Sequence, residues 1–190
     1  MQPLRKLSDW PAGALGILIC GFIAVALLGI VAMASGVPFL FPSIGPTALL
    51  LFSGPTAPTA SPRNTLCGHA VGIVCGYFAL WATGLTHAAS AMAAGMDVSR
   101  IIAAALSLSL TGSLMTLLRV PHAPAGATTL IISLGIITSP RDLAVIELAV
   151  ALLVLCALVV HRCFGTDYPW WRPRGESNGS KSSASDEGSA

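Results

Sequence analysis

The residues that could carry chemistry in this chain are few and unusually placed. His69 and Glu147 each lie inside an apolar run, and each follows by six positions the arginine of a Ser-Pro-Arg triplet (63 to 69, 141 to 147). An ionisable group one to two turns into a membrane helix is costly, faces the bundle interior or a watery cavity, and pairs with another group. A His69–Glu147 pair would relay a proton or gate an anion path. The bland alternative is that each sits shallow enough to reach headgroup water or a backbone carbonyl. Arg63 and Arg141 divide in the same way, between interfacial anchors and collectors of anions at a pathway mouth. His122 either touches a permeating ion or holds its loop by hydrogen bonds, and His87 and His161 stand at the ends of apolar runs, where an interface placement is expected. No His-Glu-x-x-His, nucleophile elbow, phosphate loop or Cys/His metal spacing is present, so the sequence predicts no enzyme, no cofactor and no metal site. The five cysteines, Cys20, Cys67, Cys75, Cys156 and Cys163, form no Cys-x-x-Cys pair and read as small apolar fillers.

A second kind of chemistry is written in glycine and threonine. Gly45-Pro46-Thr47 and Gly126-Ala127-Thr128-Thr129 each open a short apolar segment. Setting Gly45 on Gly126 aligns Thr47 with Thr128, Leu49–Leu51 with Leu130–Ile132 and Gly54 with Gly135. With a three-residue gap, Ser61-Pro62-Arg63-Asn64 then falls on Ser139-Pro140-Arg141-Asp142. The chain therefore reads as two copies of helix, short hydrophobic piece, Ser-Pro-Arg, helix. About ten helical residues make about 15 Å, half of a hydrocarbon core of about 30 Å. Irregular backbone at membrane depth must be covered by protein or line a cavity. Such segments, re-entrant or broken, are where transporters and channels build sites. If both helical pieces begin near the midplane, their unpaired N–H groups and positive dipole ends converge and favour a small anion. The candidate binding residues are Gly45, Thr47, Gly126, Thr128, Thr129 and His122.

These groups need a membrane bundle to position them, and the composition supplies one. The 190 residues are 54% hydrophobic and 9% charged, against about 25% charged in soluble domains. Between Pro11 and His161 the only charges are Arg63, Asp97, Arg100, Arg119, Arg141, Asp142 and Glu147. The net charge of +2 and the lack of a basic patch argue against a nucleic-acid partner. Four apolar runs are long enough to span: from Pro11 to Met33 and beyond, about Thr65–Thr86, about Ile101–Leu118 and about Leu143–Cys163. Arg5 and Lys6 before the first run, with Ala32-Met33-Ala34 after it, have the outline of a signal peptide. The run exceeds the usual length of about 7–15 residues, so uncleaved insertion is preferred. Asp9, Pro11 and Trp10 suit a capped helix start at the interface, and Asp97 or Ser99 suits a cap on the third helix. Tyr168, Trp170 and Trp171 suit an aromatic anchor after the fourth.

Small residues recur at four-residue spacing: Gly68, Gly72 and Gly76 on the second helix, and Ala103, Ser107 and Thr111, with Ala105, Ser109 and Ser113, on the third. These are packing faces, or, for the hydroxyls, the lining of a polar path. Two topologies fit the loop charges. Re-entrant short pieces give four crossings; complete crossing, with an extended continuation, makes the repeats inverted and puts Arg63 and Arg119 on the side of the termini, leaving Arg100 and Arg141 opposite.

The residues Phe41-Pro-Ser-Ile-Gly-Pro-Thr-Ala-Leu-Leu-Leu-Phe, Ser61-Pro-Arg-Asn with Gly68-His69, and Pro121-His-Ala-Pro-Ala-Gly-Ala-Thr-Thr resemble the HPP family of integral membrane proteins. The resemblance covers about Trp10 to Arg162. The family's His-Pro-Pro motif reads His122-Ala123-Pro124 here, so the middle proline is absent. The resemblance implies four transmembrane segments, and, because plant and cyanobacterial members are linked to nitrite transport, a small anion as substrate.

The expected protein is thus an all-α polytopic membrane protein, with four long transmembrane helices and two short half-helix segments in a two-fold internal repeat. Residues 1–9 form a cytoplasmic N-terminus, 10–164 the HPP-like membrane domain (repeats 10–86 and 100–164), and 165–190 a disordered tail. The expected function is transport or channelling of a small monovalent anion, with nitrite as the candidate, and a non-transporting membrane scaffold or sensor subunit is the rival. Expected partners are the bilayer of the cell's inner membrane, both termini being cytoplasmic, and one or two further copies of the chain, because one protomer encloses little shielded volume.

Overall fold

A computed structural model of the chain describes residues 9–173. Residues 1–8 of the expected cytoplasmic N-terminus and 174–190 of the expected tail lie outside the described residues, as do the side chains of Asp9, Trp10, Pro11 and Ala12. Seven α-helices and no strand are present among the described residues: α1 (Asp9–Ser35), α2 (Ile44–Ser53), α3 (Pro62–Ala82), α4 (Ala91–Ala94), α5 (Val98–Leu117), α6 (Ala125–Ser133) and α7 (Pro140–Cys163). Four of them, α1, α3, α5 and α7, are long and apolar enough to cross a membrane.

Local chemistry sets the helix ends. Ser61 accepts a hydrogen bond from the Asn64 amide, and Pro62 occupies the first turn, so α3 begins three residues before the apolar run itself. Ser139-Pro140 starts α7 in the same way, although Ser139 makes no side-chain cap bond. Asp97 caps α5 through the Arg100 amide at 2.7 Å, and Ser99 lies within the helix. The left-handed glycines Gly84 and Gly135 mark the turns after α3 and α6.

Contacts at the helix ends order the bundle. Leu40 packs beside Gly29, whereas Phe52 shares a groove with Gly13 and Gly16, so α2 runs antiparallel to α1 and returns toward the end where α1 starts. At that terminal end Arg63 donates to the carbonyl of Arg119, and His161 lies 3.0 Å from the carbonyl of Leu51. At the distal end Arg100 donates to the carbonyl of Ser133 at 3.2 Å, and the Ala91 amide donates to Leu134. Arg63 and Arg119 therefore share the terminal end, and Arg100 sits at the other.

Packing falls into two groups joined by α3 against α7. On one side α1 and α2 pack on α7 through a core that includes Leu28, Ile44, Leu51, Ile146, Val150 and Leu153. On the other, α5 and α6 pack on α3, with the glycine stripe as the seam. A Cβ on Gly68 would lie 2.7 Å from the His122 Cβ; on Gly72, 2.8 Å from the Ala125 carbonyl; on Gly76, 2.9 Å from the Ile132 Cβ. Only glycine permits this approach, and α6 runs parallel to α3 along it.

Residues 165–173, placed with the tail by sequence, pack onto the bundle instead. Tyr168 is fully buried, its hydroxyl donates to the Ala60 carbonyl at 2.9 Å, and the Arg63 amide donates to Trp171. Burial pushes the Tyr168 phenol up, which keeps it a donor. It is a clasp, not a lipid anchor; Trp170 remains exposed, with Arg162 stacked on its ring at 4.0 Å.

Candidate functional site

The two short helices meet at one imidazole. Thr47 is the fourth residue of α2 and Thr128 the fourth of α6. His69, in the second turn of α3, lies between them, with Nε2 2.9 Å from Thr47 Oγ1 and Nδ1 2.8 Å from Thr128 Oγ1. All three residues are fully buried. Their meeting follows from the seam: glycines at 68 and 72 let the α6 lead-in and first turn lie directly on α3, which brings Thr128 within reach of His69.

A second imidazole stands beside the first. His122 lies in the lead-in to α6, buried over Gly68, with its ring centroid 4.9 Å from that of His69. Its Nδ1 donates to the Thr59 carbonyl at 2.9 Å, since a carbonyl can only accept. Its Nε2 faces Thr47 Oγ1 at 3.5 Å. Thr47 Oγ1 also lies 2.9 Å from the Ser43 carbonyl, to which it donates. Thr129 extends the polar set sideways, 2.8 Å from Thr111 Oγ1 and 3.1 Å from the Gly72 carbonyl.

Of the residues singled out by sequence, Thr47, His69, His122 and Thr128 are thus joined, with Thr129 adjoining. The others stand apart. Gly45 is exposed, on a groove between α1 and α2, and Gly126 packs toward Leu108 of α5. The His69–Glu147 pair does not form: both ring nitrogens of His69 are taken by threonines, and the buried Glu147 Oε2 has no hydrogen-bond partner among the described residues. Arg63 spends its guanidinium on the carbonyls of Leu118 and Arg119 and on Asn64, closing the end of α5 rather than facing a pathway. Arg141 is exposed at the start of α7. The expected bare amides are also absent from α6, because Ala125, Gly126 and Ala127 donate to His122, Ala123 and Pro124 in a tight preceding turn. What converges is two threonine hydroxyls and two imidazoles.

Two basic residues that sequence did not assign to a site close the opposite ends of the short helices. Arg100, buried, binds the carbonyls of Ser133 and Ala89. His161, expected at the interface, is buried between the rings of Phe52 and Tyr168 against Leu51. For Arg100 the signal was available: a lone cation three residues past a helix cap, inside an apolar run, needs a carbonyl or an anion.

The HPP transmembrane region matches residues 6–169 of the chain. A transmembrane protein of Dictyostelium discoideum is 30% identical over 180 residues, covering 89% of this chain and 58% of the relative. A second from the same organism is 30% identical over 170 residues, covering 86% of this chain and 50% of the relative. The chain spans about half the length of these curated relatives. No solved structure matches it. With four apolar spans and a family match over nearly its whole length, this multi-pass membrane chain belongs to the HPP transmembrane family.

Proposed function

We propose that the protein transports a small monovalent anion, with nitrite the first candidate, through a site at Thr47, His69 and Thr128. The observation that carries this reading is the single imidazole bridging the fourth residues of α2 and α6. In this reading α2 and α6 are half-helices of an inverted two-fold repeat, starting near the midplane and pointing their electropositive ends at each other. The packing supports the repeat, since α1 on α2 has its counterpart in α5 on α6, and α7 on α2 in α3 on α6. Hydroxyl and imidazole donors suit an anion, and no carboxylate bonds to the set. Those donors now bond to one another, so passage requires these bonds to open, as in a carrier. His69 supplies gating and proton coupling; Glu147, which shares no bond with it, is outside the connected set. The reading places the protein in the cell's inner membrane with both termini cytoplasmic, as a homodimer or homotrimer, and assigns it no enzymatic activity or cofactor. The link of similar plant and cyanobacterial proteins to nitrite agrees with it.

The rival, a non-transporting scaffold or sensor subunit, draws on the same mutual satisfaction of hydroxyls and imidazoles, which also glues helices together. Uptake of nitrite, nitrate, formate and chloride into proteoliposomes separates the two. Uptake of at least one above empty vesicles is expected, and none above them would leave the scaffold.

A further inference from the structure

The hydrogen bonds around Thr47 do not balance in the neutral state. The Nδ1 proton of His122 is committed to the Thr59 carbonyl, so the neutral ring turns a lone pair at Nε2 toward Thr47 Oγ1, 3.5 Å away. Thr47 has one proton, and the Ser43 carbonyl takes it at 2.9 Å. The oxygen then accepts from His69 Nε2–H at 2.9 Å, while His69 Nδ1 accepts from the Thr128 hydroxyl at 2.8 Å. Every contact is filled except one: between Thr47 and His122 Nε2, lone pair faces lone pair. Turning the Thr47 proton to His122 leaves the Ser43 carbonyl with only the longer bond from the Thr47 amide, at 3.4 Å, so one hydroxyl proton is asked for by two acceptors. The cluster is one proton short.

We propose that His69 and His122 form a single protonation site, sharing one added proton across Thr47, and that this proton is the charge against which the anion is held. Added at His122 Nε2, the proton completes the last hydrogen bond, and the imidazolium so formed donates to Thr47 Oγ1. A second proton would make two imidazolium rings with centroids 4.9 Å apart in a buried site, and their repulsion opposes it. Among the described residues no other charged group bonds to either ring. α2 and α6 carry no titratable side chain, and neither does the turn Pro58–Ala60. On α3, Arg63 is tied to the end of α5; on α5, Arg100 is tied to the far end of α6. On α7, Glu147 makes no hydrogen bond or ion pair to either ring. The inference rests on the anion-transport reading for its second half and gives it a stoichiometry: one proton with each monovalent anion, which makes the cycle electroneutral.

Two measurements keep the halves apart. In nanodiscs, ¹⁵N spectra of the histidines across pH 4–9 count the protons; uptake of one proton by the pair is expected, and His122→Gln is expected to abolish it over this range. Two independent protonations, or none, would overturn the shared site whether or not the protein transports. In proteoliposomes, nitrite flux driven by a pH gradient is expected to be unchanged when a potassium diffusion potential is imposed, and both His69→Gln and His122→Gln are expected to reduce the gradient-driven component at least tenfold, the double variant no further. Flux that follows the imposed potential, or that keeps its pH response in His122→Gln, would overturn the coupling. No flux in any variant, with one-proton uptake intact, would strike the transport reading and leave the shared site standing.

Discussion

The two packing groups answer the same sequence frame with opposite chemistry. Under the alignment that pairs the Ser-Pro-Arg triplets, Gly68, Gly72 and Gly76 of α3 correspond to Ile146, Val150 and Val154 of α7, and His69 corresponds to Glu147. Setting Gly45 on Gly126 likewise pairs Phe41 with His122 and Ala48 with Thr129. On the α3 side, missing side chains let the backbone of α6 approach and bring hydroxyls and imidazoles into contact. On the α7 side, branched residues hold α2 off and fill the interface with hydrocarbon. Polar chemistry in the bundle therefore goes where backbones can touch, because buried hydroxyls need partners within about 3 Å and only close packing supplies them.

The sharpest way to break that contrast is Gly72→Val. Its Cβ would meet the Ala125 carbonyl at 2.8 Å and Thr129 Oγ1 at 2.9 Å, so a loss of about 3 kcal/mol is expected in a denaturant titration of the purified protein. Val150→Ala, at the matching place on α7, only empties hydrocarbon and should cost about 2 kcal/mol, with the hydroxyl–imidazole contacts intact. Next comes His69→Ala, which strands the hydroxyls of Thr47 and Thr128 and should cost roughly 1–3 kcal/mol. Glu147→Gln breaks no hydrogen bond or ion pair and should stay within about 0.5 kcal/mol. An equal effect of the two would contradict the assignment of chemistry to the α3 side.

A smaller effect is expected from Tyr168→Phe, which removes one buried hydrogen bond to Ala60 and should cost about 1 kcal/mol. Because burial raises the phenol's pKa in the folded state, the clasp is fully present below the unfolded value of about 10 and is lost as pH rises through the folded value. The wild type should lose stability in that alkaline range and the phenylalanine variant should lose less. Gly45→Ala should cost nothing, being neutral or stabilising by up to about 1 kcal/mol, since nothing lies within 4 Å of the added methyl and helical glycine is unfavourable.

What the sequence made legible was set by local chemistry. The four spans follow from apolar length, the starts of α3, α5 and α7 from Ser61-Pro62, Asp97 and Ser139-Pro140, and the short helices from Gly45-Pro46 and Gly126. The meeting of Thr47 and Thr128 was expected from their matching positions. The facing of Gly45 and Gly126 was not legible, because a helix apolar on all sides carries no stripe to fix its rotation. Nor was the choice of partner for His69: Glu147 stands at the matching position, but the glycines of α3 bring threonine within 3 Å first. Tyr168 misled for a related reason, since an aromatic after a span suits an interface as well as a buried clasp.

The central claim is that an anion passes between the first turns of α2 and α6. Nitrite uptake into proteoliposomes by the wild type beside Thr47→Val and Thr128→Val tests it most directly, because valine keeps the shape of threonine and removes only the hydroxyl. Uptake by the wild type that falls at least tenfold in both variants, with folding retained, is the predicted result. Uptake that both variants sustain at the wild-type rate would place the path elsewhere and contradict the account.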